Sequence, residues 1–97
     1  MSDTALAIRH NSAAQRFETT VDGMLCRADY RLHGDTMMLV HTEVPALLEG
    51  RGIASALVKA AFRHAADHGM DVLPVCSYVQ SWVQRHPEVE PLLAGSR

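Results

Sequence analysis

The feature that most constrains this chain is a change of hydrophobic period at Gly52. Upstream, from about Arg16 to Val44, side chains alternate in period two between turn signals; downstream, apolar residues recur every three to four positions. A chain that makes strands first, then one helix and a short apolar strand, can bury both patterns by building antiparallel hairpins and adding a last strand parallel through a helical crossover. The expected fold is therefore α+β: a mixed, mostly antiparallel sheet with a parallel strand-helix-strand unit and short C-terminal helices.

The strands read as follows. Gln15, Phe17, Thr19 and Val21 point one way, and Arg16, Glu18 and Thr20 the other. Asp22-Gly23 supplies the positive φ angles of a tight hairpin. Met24, Cys26, Ala28, Tyr30 and Leu32 then face inward, with Leu25, Arg27, Asp29 and Arg31 mostly outward. After a turn at His33-Gly34-Asp35, a third strand runs from Thr36 to Val44 with Met37 and Leu39 on one face and Met38, Val40 and Val44 on the other, as if both faces were covered. It ends with His41 and Glu43 on one face, and Pro45 stops it.

From Gly52, Ile53, Ala54, Leu57, Val58, Ala61, Phe62 and Ala65 form a helical stripe, with Ser55, Lys59, Arg63, His64 and Asp67 toward water and Gly69 as a C-cap. Asp71 to Cys76 reads as a strand parallel to the third, with Pro74 marking a stretch that lacks a neighbour. A second helix is predicted from Ser77, its N-cap, to about Arg85, with Val79, Trp82 and Val83 inward. Val89, Leu92 and Leu93 suit a last helical turn, and the ends, about residues 1–5 and 94–97, are expected to fray.

A length of 97 residues with 47% hydrophobic and 21% charged residues describes one globular domain. A net charge of -2 offers no basic field for nucleic acid or anionic membrane, so any anion site must be local. No apolar run approaches a membrane span and Met1-Ser2-Asp3-Thr4 does not resemble a signal peptide, so a cytosolic protein is expected, with Cys26 and Cys76 as free thiols and Cys26 in the core. His64 and His68 have the i, i+4 spacing of a metal pair but no third ligand in view, and read as a solvated face with no metal.

The segment Glu49-Gly50-Arg51-Gly52-Ile53-Ala54-Ser55 carries the chemistry. Its glycines let the backbone approach a ligand, and the free N–H groups of the helix start favour an anion such as a pyrophosphate, with Arg51 on the rim. It has neither the Gly-Lys-Ser/Thr ending of a P-loop nor the Gly-x-Gly-x-x-Gly of dinucleotide folds. With the strand before it and the helix and strand after it, the segment resembles the acetyl-CoA-binding motif of the GNAT acetyltransferases, Gln/Arg-x-x-Gly-x-Gly/Ala, with Glu49 standing where that pattern has Gln or Arg. Together with His41 to Pro45, Val75-Cys76-Ser77-Tyr78 and Arg85-His86-Pro87-Glu88, the chain is similar to the small single-domain GNAT-like group from about Arg16 to Leu93.

That resemblance implies a cleft where the third and fourth strands splay, pantetheine bonded to backbone near Thr42 to Val44, and the pyrophosphate of acetyl-CoA on the loop of Gly50, Arg51, Gly52, Ile53, Ala54 and Ser55. Arg85 and His86 either reach the nucleotide end of CoA or touch only the final turns of the helix. For acetyl transfer to an amine, Glu43 is the first candidate base, directly or through water, with His41 beside it. Cys76, ahead of a helix, is a candidate nucleophile for an acetyl-cysteine route, and a buried strand-end thiol is its structural alternative. Tyr78 is a candidate proton donor to the leaving thiolate. The long helical segment that forms the acceptor side of larger GNAT enzymes has no counterpart, which leaves a non-catalytic acyl-CoA-binding or protein-interaction module as the alternative function. A monomer is expected, with the sheet edge open to dimerisation.

Overall fold

The structure, a computed structural model, describes residues 6–95; the fraying expected of residues 1–5 and of the last two residues lies outside the described part. Five strands, β1 (Arg9–Asn11), β2 (Arg16–Val21), β3 (Met24–His33), β4 (Thr36–Glu43) and β5 (Asp71–Pro74), stand in that order in one sheet. Neighbours from β1 to β4 are antiparallel, and β5 joins β4 parallel after the helix α1 (Ile53–Asp67). A second helix, α2 (Ser77–Gln84), and a 3-10 segment (Pro87–Leu92) complete the chain. The expected mixed sheet with its parallel strand-helix-strand unit is what forms.

Asp22 and Gly23 take φ of 52° and 76°, the two positive values that the hairpin between β2 and β3 requires. Phe17, Cys26, Ala28, Tyr30, Met37, Leu39 and Val72 meet Leu57, Val58, Ala61, Phe62 and Ala65 of α1 and Val79 and Trp82 of α2 in one core. Cys26 is fully buried, and both cysteines are free thiols.

Four expectations are corrected. β4 is not covered on both faces: the buried sheet residues share one face, while Met38 and Val40 are half-buried and Leu25 and Leu73 exposed on the other. Leu32 is 49% exposed although it pairs with buried Met37, because it lies among the last three residues of β3, all of them exposed. Ser77 is not the N-cap of α2; Cys76 is, without a side-chain cap bond, so Ser77 is the first helical residue. The tail does not loosen at Ala94, whose N–H donates to Val72 O at 2.8 Å just after Leu93 bridges Val72.

His64 departs from the solvated face assigned to it. Strand β1, a short Arg-His-Asn run with no apolar alternation to announce it, pairs with β2 and brings His10 over α1. The His10 ring lies 4.4 Å from that of His64 and stacks on Phe17 at 4.5 Å, and His64 stacks on His68 at 4.0 Å. Tyr30 Oη and His10 Nε2 are 2.6 Å apart. Among the described residues these imidazoles form no metal-ligating set.

Burial, and then the neighbouring imidazoles, hold the pKa values of His10 and His64 below the ordinary 6.5, with Asp67 partly offsetting this at His64. The unfolded chain therefore takes up these protons first, so their contribution to stability is complete above the unfolded value and is lost as the pH falls from there through the lower folded values. We expect Tm to fall between about pH 7.5 and 5.5, where carboxylates stay charged in both states, and to fall less steeply in His10→Gln/His64→Gln. Scanning calorimetry across that range checks the two slopes; equal slopes would contradict the assignment.

Candidate functional site

The site begins where a ladder ends. β4 and β5 pair from Thr36–Asp71 to Leu39–Pro74, but β4 runs on to Glu43. Beyond Pro74, the N–H groups of Val75 and Cys76 both donate to Leu39 O, at 3.0 and 2.9 Å. One carbonyl thus takes the last two donors of the returning segment, and the backbone from Val40 onward has no β5 partner. This is the splay that the resemblance implied, and the stretch without a neighbour that Pro74 marked.

A second irregularity aims the side chains. The β3–β4 register slips by one between Asp29 and Tyr30, leaving Val40 as the extra residue of a bulge. Before it, Met37 and Leu39 point to the core; after it, His41 pairs with Asp29 and Glu43 with Arg27 on the open face, while Thr42 pairs with buried Ala28. A period-two reading carries Leu39 and His41 on one face, and no residue in the strand announces the bulge.

Opposite β4, Pro45 leads into a 3-10 turn (Ala46–Leu48) that buries Leu48 and delivers the glycine loop. Gly50 and Gly52 take φ of 86° and 78°, values an L side chain rarely adopts. Gly52 is the N-cap of α1, so no side chain covers the first N–H groups of the helix. Between this loop and β4 lies a cavity of about 600 Å³, lined by His41, Thr42, Glu43, Val44, Leu48, Glu49, Gly50, Gly52, Ile53, Ala54, Ser55 and Tyr78.

The structure thus gathers most of the residues singled out in the sequence. Cys76 stands just behind the wall, with Sγ 3.6 Å from Thr42 Oγ1. Two others are not among the lining residues: Arg51 pairs with Asp22 of the β2–β3 turn at 3.2 Å, and Arg85 donates to Ser81 O in the last turn of α2 at 3.4 Å. Sequence reasoning missed Leu48 as a wall residue, Arg27 as a partner of the site, and the bond from Trp82 Nε1 to Ser55 Oγ at 2.8 Å. The last two are cross-element contacts with no signature in spacing.

Electrostatics divides the polar groups. Glu43 Oε1 lies 3.0 Å from His41 Nε2 and 3.2 Å from an Arg27 nitrogen. The hydrogen bond from His41, and then the Arg27 charge, hold its carboxyl below the usual range. Burial raises the Tyr78 pKa, against a smaller opposing effect of Arg85, so its phenol stays protonated at neutral pH.

Comparison with known proteins bears on this geometry. The sequence model of the family described as GCN5-related N-acetyl-transferase matches residues 16–92. Protein NATD1 of Xenopus tropicalis is 32% identical over 87 residues, covering 87% of this chain and 80% of that protein. The human Protein NATD1 is also 32% identical, over 84% of this chain and 75% of its own length. The NMR structure of a GCN5-like protein from Staphylococcus aureus superposes with a TM-score of 0.75, covering 96% of this chain and 92% of the other at 22% identity, a likeness of fold.

The ranking of influences on Glu43 is testable by carbon-detected NMR titration of its carboxyl. We expect a midpoint below the ordinary 4.5 in the wild type, a rise in His41→Ala, and a smaller rise in Arg27→Gln. A larger effect of Arg27 would reverse the assignment.

Proposed function

The chain belongs to the GCN5-related N-acetyltransferase family, and from that premise we propose that it binds acetyl-CoA in the cavity between β4 and α1 and transfers the acetyl group to an amine. The observation that carries this reading is the meeting, across one cavity, of a strand end without a β5 partner and a helix start without a side-chain cap. The first offers backbone groups to an amide-bearing arm, here at Thr42 to Val44. The second offers N–H donors and the positive helix end to a pyrophosphate. The glycines at Gly50 and Gly52 keep that approach free of side chains.

The chemistry follows from the protonation states. Glu43, the first candidate base, is held as a carboxylate by two donors and is correspondingly weak as a base. Its role is to orient His41: with Nε2–H donated to Glu43, the lone pair of His41 Nδ1 is left to take a proton. The amine enters as the free base, its nitrogen bonds to the thioester carbon, and its proton passes to His41. As the carbon–sulfur bond breaks, the thiolate takes the Tyr78 proton. Cys76 offers a second route, in which Sγ bonds to the acetyl carbon as the bond to the CoA sulfur breaks and the thiol proton passes to that sulfur, and the amine then displaces Sγ; its place beside Thr42 supports carrying this alternative. We take the monomer as the working unit.

Calorimetric titration tests binding before chemistry. We expect acetyl-CoA to bind the wild type and to lose most of its affinity for Gly52→Glu, which sets an anion and a strained φ where the pyrophosphate belongs. Wild-type protein that binds no acetyl-CoA would remove the proposal. If binding holds, Tyr78→Phe should lower kcat by about a hundredfold with little change in KM, as loss of a positioned acid does. Cys76→Ala then separates the routes: retained turnover assigns direct transfer, and abolished turnover with retained binding assigns the acetyl-cysteine. Binding without transfer to any of a broad set of amines would leave a non-catalytic acyl-CoA module.

A further inference from the structure

We propose that Trp82 is a positioning residue that acts through Ser55, holding the Ser55 hydroxyl as a hydrogen-bond donor to the anion at the start of α1. This rests on the reading above, that the cavity takes the CoA pyrophosphate.

Trp82 is 1% exposed, and its ring stacks with Phe62 of α1 at 5.3 Å and with His86 at 3.9 Å. His86 is itself tied to Glu88, 3.0 Å away. An indole N–H can only donate, and here it donates to Ser55 Oγ at 2.8 Å. Ser55 is the third residue of α1 and lines the cavity.

A serine hydroxyl in a helix commonly donates to a carbonyl three or four residues back. Among the described residues the Ser55 hydroxyl donates no such bond; its oxygen is committed to Trp82 as an acceptor. The hydroxyl proton is then what Ser55 has left to offer, and the cavity is the side where it has no protein partner. A hydroxyl donor at the third helical residue adds to the N–H groups that an anion meets there. The same bond joins the anion end of the cavity to α2, where Tyr78 lies one turn before Trp82.

The test is a double-mutant cycle on the affinity for CoA, measured by calorimetry on the full chain. Trp82→Phe keeps an aromatic ring for the stack and removes the donor; Ser55→Ala removes the hydroxyl; Ser55→Thr keeps it. We expect Trp82→Phe and Ser55→Ala each to weaken CoA binding about ten- to a hundredfold, the size of one hydrogen bond to a charged group. The double variant should be no weaker than the weaker single, and Ser55→Thr should bind like wild type. Independent, multiplying losses, or wild-type affinity in Trp82→Phe, would overturn the proposal, since a purely structural tryptophan has no reason to depend on the Ser55 hydroxyl. If Trp82→Phe does not fold, the indole N–H resonance of Trp82 decides: a shift on CoA binding that Ser55→Ala abolishes and Ser55→Thr keeps upholds the proposal, and an indole N–H that does not respond to CoA overturns it. Absence of CoA binding by the wild type would instead strike the reading on which this rests.

Discussion

The site depends on one carbonyl group. Leu39 O receives the N–H of both Val75 and Cys76, and the β4–β5 ladder cannot continue past a strand that converges on a single acceptor. Pro74 contributes by having no N–H of its own, so the segment can reach Val75 without leaving a donor stranded. β5 then turns into α2 while β4 continues, and the gap between them has strand backbone on one side. Had the ladder run to Glu43, Thr42 and its neighbours would be bonded within the sheet and the glycine loop would face a closed edge.

The bulge at Val40 determines which groups look into that gap. It sets His41 and Glu43 on the same face as Arg27 and Asp29, so a guanidinium from β3 reaches the Glu43 carboxylate across the pair. A glutamate given both an imidazole donor and an arginine is a stable anion. The bulge therefore has an electrostatic consequence: it brings a guanidinium and an imidazole onto one carboxylate and holds that carboxylate charged.

What the sequence made legible follows from what a sequence encodes locally. The hairpin at Asp22-Gly23, the apolar stripe of α1, the glycine loop at its start and the meaning of Pro74 each rest on residues within a few positions of one another, and all appear in the structure. The errors are non-local. Covering β4 on both faces assumed helices on both sides of the sheet, yet α1 and α2 meet through Phe62 and Trp82 on a single side. The sequence reads His64 as solvated because β1, three polar residues long, gives no period to read, and only its pairing with β2 brings His10 across. Arg51 reaches Asp22 on the distant β2–β3 turn, a partner that the loop's own residues do not announce, and Arg85 stays on the last turn of α2, the second of its two readings.

Both helices begin beside the cavity, and neither has a side-chain cap. α1 starts at a glycine and α2 at Cys76, where a serine or aspartate would satisfy a free N–H and add about 1 kcal/mol. At Gly52 the omission has a physical reading, since a capping side chain would occupy the place of an incoming anion. At Cys76 the thiol lies against Thr42 Oγ1 on β4 instead of folding back on its own helix. Stability forgone at these two starts is offset away from them, in the contact of α1 with the sheet and in the Phe62–Trp82 stack. The packing that supports the fold thus lies behind the cavity, and the backbone donors at its mouth stay open to a ligand.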